Sequence, residues 1–317
     1  QFSYDAERRL SSVTNQNGQV WHYERDATGQ VVAEVDYDAR RTTYQLDAAG
    51  RVVASVNPAG QRLDFELDSV GRIVRRHADG EVTSLSYDAA GRLLAAEGPQ
   101  VALARTYDAV GRLVAESVNG AETTWAFDAA GRRLERHTPT GASSQWLFDE
   151  AGQRAGLQLA GSGLRFARDQ VGRALATEFA GGRIDSAFDS MGRLAARSAV
   201  GGQSSPWQVN YGYGPGGELL AVHDSVHGQR RYSLDAAGRI TSVEGDTATE
   251  HYTYDPAGNI TNAEWYTPNT DAATQGQRSY QGSLLVQAGR DRYEYDTAGR
   301  LTGRSRALLS GGVKQWR

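Results

Sequence analysis

Thirteen aspartates recur at one phase along this 317-residue chain: Asp5, Asp26, Asp47, Asp68, Asp88, Asp108, Asp128, Asp149, Asp169, Asp189, Asp235, Asp255 and Asp296. Carboxylates are the first candidates for acid–base or metal chemistry, but an active site needs one distinctive constellation in a perturbed environment. A carboxylate required in every unit instead fits a turn cap, accepting hydrogen bonds from turn amides. An arginine usually follows four residues later, as Arg51, Arg72, Arg92, Arg112 and Arg132 do. Such a row can hold an anionic ligand. The reading preferred here is that each arginine pairs with a neighbouring turn aspartate or lies over an adjacent tyrosine ring.

Histidines give no better case. His77, His137 and His223 share one phase and His22 and His251 another. Along a straight strip His77 and His137 stand about 29 Å apart at the strand spacing, so they share an ion only if the array winds back on itself. His223, Asp224 and His227 form the one local cluster and read as a solvated loop. The chain has no cysteine, which excludes thiolate zinc sites and a disulfide framework. No nucleophile elbow, phosphate-binding glycine loop or paired-histidine zinc motif is present. The sequence therefore assigns no catalytic, cofactor or metal site, and no cofactor.

The elements around the aspartates explain their spacing. Through Asp189 every step is 20 or 21 residues, and the frame is Asp-Xaa-Xaa-Gly-Arg followed by an apolar residue in twelve of fourteen units. Gly214 takes the aspartate position in the fourteenth. Aromatics one and three residues before the anchor, such as Tyr252 and Tyr254 or Tyr293 and Tyr295, have the period of a strand with one aromatic face. Asp with Gly three residues later marks a type I turn closing on a left-handed residue, the three-residue bulged hairpin. The triads Asp47, Gly50 and Arg51; Asp68, Gly71 and Arg72; Asp88, Gly91 and Arg92; Asp108, Gly111 and Arg112; and Asp128, Gly131 and Arg132 are its clearest copies. About ten residues on, a second turn signal follows at Asn17-Gly18, Pro58-Ala59-Gly60, Asp79-Gly80, Asn119-Gly120, Pro139-Thr140-Gly141, Gly181-Gly182 and Gly201-Gly202. Tyr37-Asp38, out of phase, falls at such a turn.

The fold class is accordingly all-β: tandem hairpins of about 20 residues making one long antiparallel meander of roughly 28 strands. Laid flat it would be a ribbon about 130 Å wide. Sheets beyond about ten strands curl, so a curved, spiralling sheet is expected. A propeller of seven two-unit blades would make odd and even units differ, and they do not; a parallel β-helix needs no reversing turn in every coil. The whole of 1–317 reads as a single array, regular over 1–200 and less regular over 201–317, with a degenerate unit near Tyr280-Gln281-Gly282. The start at Gln1 inside a repeat and the end at Trp316-Arg317 are read as those of a piece of a longer polypeptide.

Composition agrees with a folded, turn-rich chain: 39% hydrophobic, 23% charged and 37 glycines. Net charge is -4, Lys314 is the only lysine, and the arginines are spread one per unit rather than gathered on one element, which argues against nucleic acid as a partner. No apolar run reaches the roughly 18 residues of a membrane helix, so no span is expected.

The units Tyr87-Asp88-Ala89-Ala90-Gly91-Arg92-Leu93, Tyr107-Asp108-Ala109-Val110-Gly111-Arg112-Leu113 and Tyr295-Asp296-Thr297-Ala298-Gly299-Arg300-Leu301 closely resemble the YD repeats of Rhs proteins, which have relatives in insecticidal toxin complexes and in teneurins. The resemblance covers nearly the entire chain. It implies a non-catalytic segment of a β-cocoon shell that encapsulates a C-terminal toxin. The implied partners are that toxin domain of the same polypeptide, the remaining shell segments and secretion-apparatus proteins, and the implied setting is a secreted or cell-delivered polymorphic toxin, as in type VI secretion. Rhs cores typically end in a motif containing Asp-Pro-Xaa-Gly-Leu where the chain cleaves itself. Asp255-Pro256-Ala257-Gly258-Asn259 lacks the leucine and keeps the repeat phase, so it is read as an ordinary turn. The alternative function is an extracellular recognition or adhesion module presenting aromatic strips to glycans or partner proteins.

Overall fold

The computed structural model describes residues 1–201, 206–266 and 272–316. Every element in it is a strand or a turn. Thirty-one strands, from Phe2–Tyr4 to Val313–Trp316, form one antiparallel sheet in which each strand pairs with its successor in the chain. The excess over 28 has a plain origin. The degenerate unit is a genuine hairpin, Gly276–Gln281 with Leu284–Ala288, whose tight turn has Gly282 at φ 64 in place of the aspartate frame. The strand Val313–Trp316 adds one more after a turn closed by Leu308 and Gly312. Gly202, half of one expected second turn, lies outside the described residues.

The register holds a feature that period-two reasoning overlooks. Tyr87 stands opposite Leu93, but Ser86 stands opposite Ala95, so Leu94 is an extra residue on the return strand. The same shift recurs unit after unit, for example at Thr106/Tyr107, Ala126/Phe127, Thr253/Tyr254 and Glu294/Tyr295. A bulge of this kind raises local twist. Its sequence signal is two consecutive apolar residues after the arginine position, Leu93-Leu94 or Val52-Val53, where alternation calls for one.

The chain divides into two compact parts, one of Gln1–Thr83 with Ser233–Arg317 and the other of Ser84–Tyr232. Neither has a core in the usual sense. Among the described residues the fully buried apolar side chains are all small or short-branched, among them Ala33, Ala54 and Ala176. Ala33 stands between Glu24 and Thr43, and the Glu24–Arg41 ion pair (2.7 Å) crosses above it. Ala54 lies between Gln45 and Asp64, where Arg62 donates to both. Long polar side chains thus cover short apolar ones on the non-aromatic face.

Candidate functional site

Each first turn is built by its aspartate. In the turn at Asp88, the Asp88 amide donates to the Arg92 carbonyl (3.0 Å) and the Gly91 amide to the Asp88 carbonyl (3.0 Å), with Gly91 at φ 84. Asp88 Oδ1 accepts from the amides of Ala90 and Arg92, both at 2.9 Å, while Oδ2 takes Arg92 Nε at 2.6 Å. Both carboxylate oxygens are therefore used inside five residues. Gly214 keeps the two backbone bonds without the carboxylate, and Arg8 and Ala39 occupy the glycine position at φ 62 and 60. Asp255 forms the same turn, with Asn259 taking the arginine's role at 2.8 Å. Asp36, rather than Asp38, caps the turn over 36–40.

The arginine links one turn to the next. It pairs with the aspartate of its own turn, and its guanidinium lies over the aromatic ring that precedes the following turn: Arg92 over Tyr107 (4.8 Å), Arg132 over Phe148 (4.5 Å) and Arg193 over Tyr213 (4.5 Å). Where it reaches further, Nη1 donates to the next aspartate's carbonyl, as from Arg112 to Asp128 at 2.8 Å and from Arg239 to Asp255 at 3.0 Å. The tyrosine ties back in the opposite direction. Tyr107 Oη donates to the Leu93 carbonyl (2.9 Å), and Tyr213, Tyr254 and Tyr295 make the equivalent bond to Leu194, Ile240 and Leu285. At two units an arginine stands at the tyrosine phase and makes the same bond, Arg25 to Leu10 and Arg168 to Arg154. Sequence reading passes over these two because their residue type breaks the aromatic rule while their donor preserves it.

These geometries leave the turn row chemically quiet. The Arg92 amide is the largest influence holding the Asp88 carboxyl below the usual carboxylate range; desolvation opposes it and the Arg92 guanidinium adds to it. Asp68, Asp108, Asp128, Asp189, Asp235 and Asp296 are lowered with the arginine amide again the largest cause. Carboxyls held ionised in this way are poor proton donors near neutrality, and arginines engaged in pairs are poor anion receptors. His77 pairs with Glu66 (3.0 Å) and His227 with Asp224 (3.1 Å), whose carboxyl, capped first by the Val226 amide, falls to about 2. No group of three His, Asp or Glu suited to a metal ion occurs among the described residues.

A stability prediction follows with a definite sign. Carboxyls whose folded pKa is depressed stabilise the fold at pH above their unfolded value and lose that contribution as pH falls through the folded value. The hairpins should therefore be stable at neutrality and weaken progressively below about pH 4. Circular dichroism followed from pH 7 to pH 2 checks this, and an unchanged melting temperature across that range would contradict it.

The RHS Repeat family matches residues 4–39, 25–62, 68–100 and 107–143, each match spanning the turn geometry just described. Over these residues the chain carries RHS repeats. Double-stranded DNA deaminase toxin A of Burkholderia cenocepacia (strain H111) is 35% identical to the array over 100 residues, which is 31% of this chain and 6% of that protein. Among solved structures, the Photorhabdus luminescens Tc holotoxin pore superposes with a TM-score of 0.75 at 15% identity, over 99% of the array and 21% of that chain. A TcdB2–TccC3 crystal structure gives 0.76 at 14%, with the same coverage. At such identities the likeness is one of fold. The array spans only a small part of each of these proteins.

Proposed function

We propose that this RHS array is a stretch of non-catalytic wall in a shell that encloses a toxin domain carried on the same polypeptide. One observation carries the reading. Among the described residues the fully buried apolar side chains are small ones such as Ala33 and Ala176, while aromatic side chains such as Tyr107, Trp125 and Phe148 stay partly exposed along one strand face. A sheet one layer thick, with an aromatic strip on one face, is a surface built to be covered. The toxin named in the curated relative and the toxin complexes named in the structural likenesses support a toxin as what it covers. Within this reading the Asp, Gly and Arg turn triads are structural, and their mutual neutralisation favours a wall over an enzyme.

Further shell segments are the second partner. Val110, Val171 and Met191 stand at first-turn tips and are 75%, 75% and 78% exposed, an apolar row fit to abut more of the same wall. Secretion or delivery to a target cell, with contacts to secretion-apparatus proteins and a role in interbacterial competition, completes the proposal; no described helix is long and apolar enough to cross a membrane. The test uses the parent polypeptide with its downstream domain. That domain should survive trypsin at a dose that digests it when expressed alone. Equal digestion rates would overturn the reading.

A further inference from the structure

Within the first compact part, turns near the two ends of the chain meet. Asn17 Nδ2 donates to Asp255 Oδ2 at 2.8 Å across 238 residues. Asp38 accepts from the Ser283 amide and hydroxyl, both at 2.5 Å, across 245 residues. Arg300 Nη1 donates to Gln61 Oε1 at 2.8 Å across 239 residues. On one side are three successive second turns, 15–19, 36–40 and 57–61; on the other are the turns of three successive hairpins. The first set differs in build from Asp79-Gly80 and Asn119-Gly120, which are two-residue turns with both residues at positive φ. Each of the three instead has an Asn or Asp cap whose side chain accepts from the amide four residues on, and a Gln or Arg returns to that cap.

Asp38 is the centre of this seam. Its side chain is 8% exposed and pairs with Arg40 Nη2 at 2.8 Å, while Arg40 also holds Asp36 at 2.6 Å. The opposing turns are shaped to admit these groups. A Cβ on Gly282 would overlap the Asp38 carboxylate, and one on Gly299 would overlap the Arg40 guanidinium. We propose that the three contacts form a register lock, a self-recognition surface by which the second turns of the N-terminal hairpins select the hairpins around residues 255–300 as neighbours, with Asp38 the specificity-determining residue. Charge-assisted hydrogen bonds between turns suit that purpose because a slip by one unit would leave the buried Asp38 without its Ser283 donors.

The experiment is hydrogen exchange on the whole chain carrying Asp38→Ala. A lock predicts roughly tenfold faster exchange or more at the Ser283 amide, and also faster exchange in the turns 15–19, 57–61, 255–259 and 296–300, with unchanged exchange over 84–232 as the folding control. Acceleration confined to Ser283 would overturn the lock. A second variant, Asp38→Cys with Gly282→Cys, uses the absence of native cysteine. A Cβ on Gly282 lies 3.5 Å from Asp38 Cβ, within disulfide range. Oxidation should give a crosslinked monomer in which exchange at the flanking turns returns to the wild-type rate. Failure of the pair to crosslink would refute the apposition itself.

Discussion

Replacing Asp291 by alanine should destabilise the hairpins around residues 291–307 by about 3 kcal/mol. Asp291 is fully buried and sits on the aromatic face, five residues before its anchor, where other units place Trp21, Leu63, Leu103 or Ile184. It accepts from Arg306 Nε at 2.6 Å and Nη2 at 3.0 Å, from Arg304 Nε at 2.8 Å, and from Arg304 Nη2. The Arg306 hydrogen bond is the largest cause keeping its carboxyl low; burial opposes it and Arg304 assists. Removing the carboxylate takes the shared acceptor from two guanidiniums, and water reaches the partly exposed Arg304 more readily than Arg306, which places the loss at the lower end for a broken buried pair. Substituting the three together, Asp291→Leu with Arg304→Met and Arg306→Leu, should restore most of that stability, because the buried ion pairs and their desolvation cost are then removed together. Hydrogen exchange over 291–307 reads both variants. A single-site variant as stable as wild type would show that the triad contributes nothing.

Valine at Gly111 should cost about 2–3 kcal/mol, and valine at Gly131 only about 1–2 kcal/mol. Both glycines close first turns in the left-handed region, at φ 92 and 81, where a β-branched residue is strained. They differ in what stands behind them. A Cβ at Gly111 would lie 2.6 Å from Arg92 Nη1, so the substitution also displaces the guanidinium from Asp88 and Tyr107; at Gly131 nothing lies within 4 Å. The difference between the two variants therefore measures the arginine link between consecutive hairpins. Urea unfolding of each variant gives it, and equal losses would mean the link carries no stability.

Such local effects are the expected currency of a one-layer array. In a compact domain a lost contact is shared by the whole core, but here, away from the seam between turns 15–61 and 255–300, each hairpin mainly touches its sequence neighbours, so damage stays near its source. This is also why the Arg-to-ring and Tyr-to-carbonyl bonds matter. They are the connections that make adjacent hairpins one surface.

From residue order alone came the hairpin pitch, the bulged turn, the aromatic face and the family likeness, because each depends on groups within about twenty residues of one another. Asp88 finds the amides of Ala90 and Arg92 whatever the rest of the chain does, and alternation of Tyr with small residues assigns faces without reference to distant strands. What only the tertiary structure decided is of another kind. That Asp38 meets Ser283, or Asn17 meets Asp255, brings together groups 245 and 238 residues apart in the chain, and no local pattern records such a meeting. Asp291 is the intermediate case: it stands at a phase where other units carry apolar residues, yet its burial as an ion requires Arg304 and Arg306 to arrive on the next strand, a matter of register that the bulge displaces by one residue.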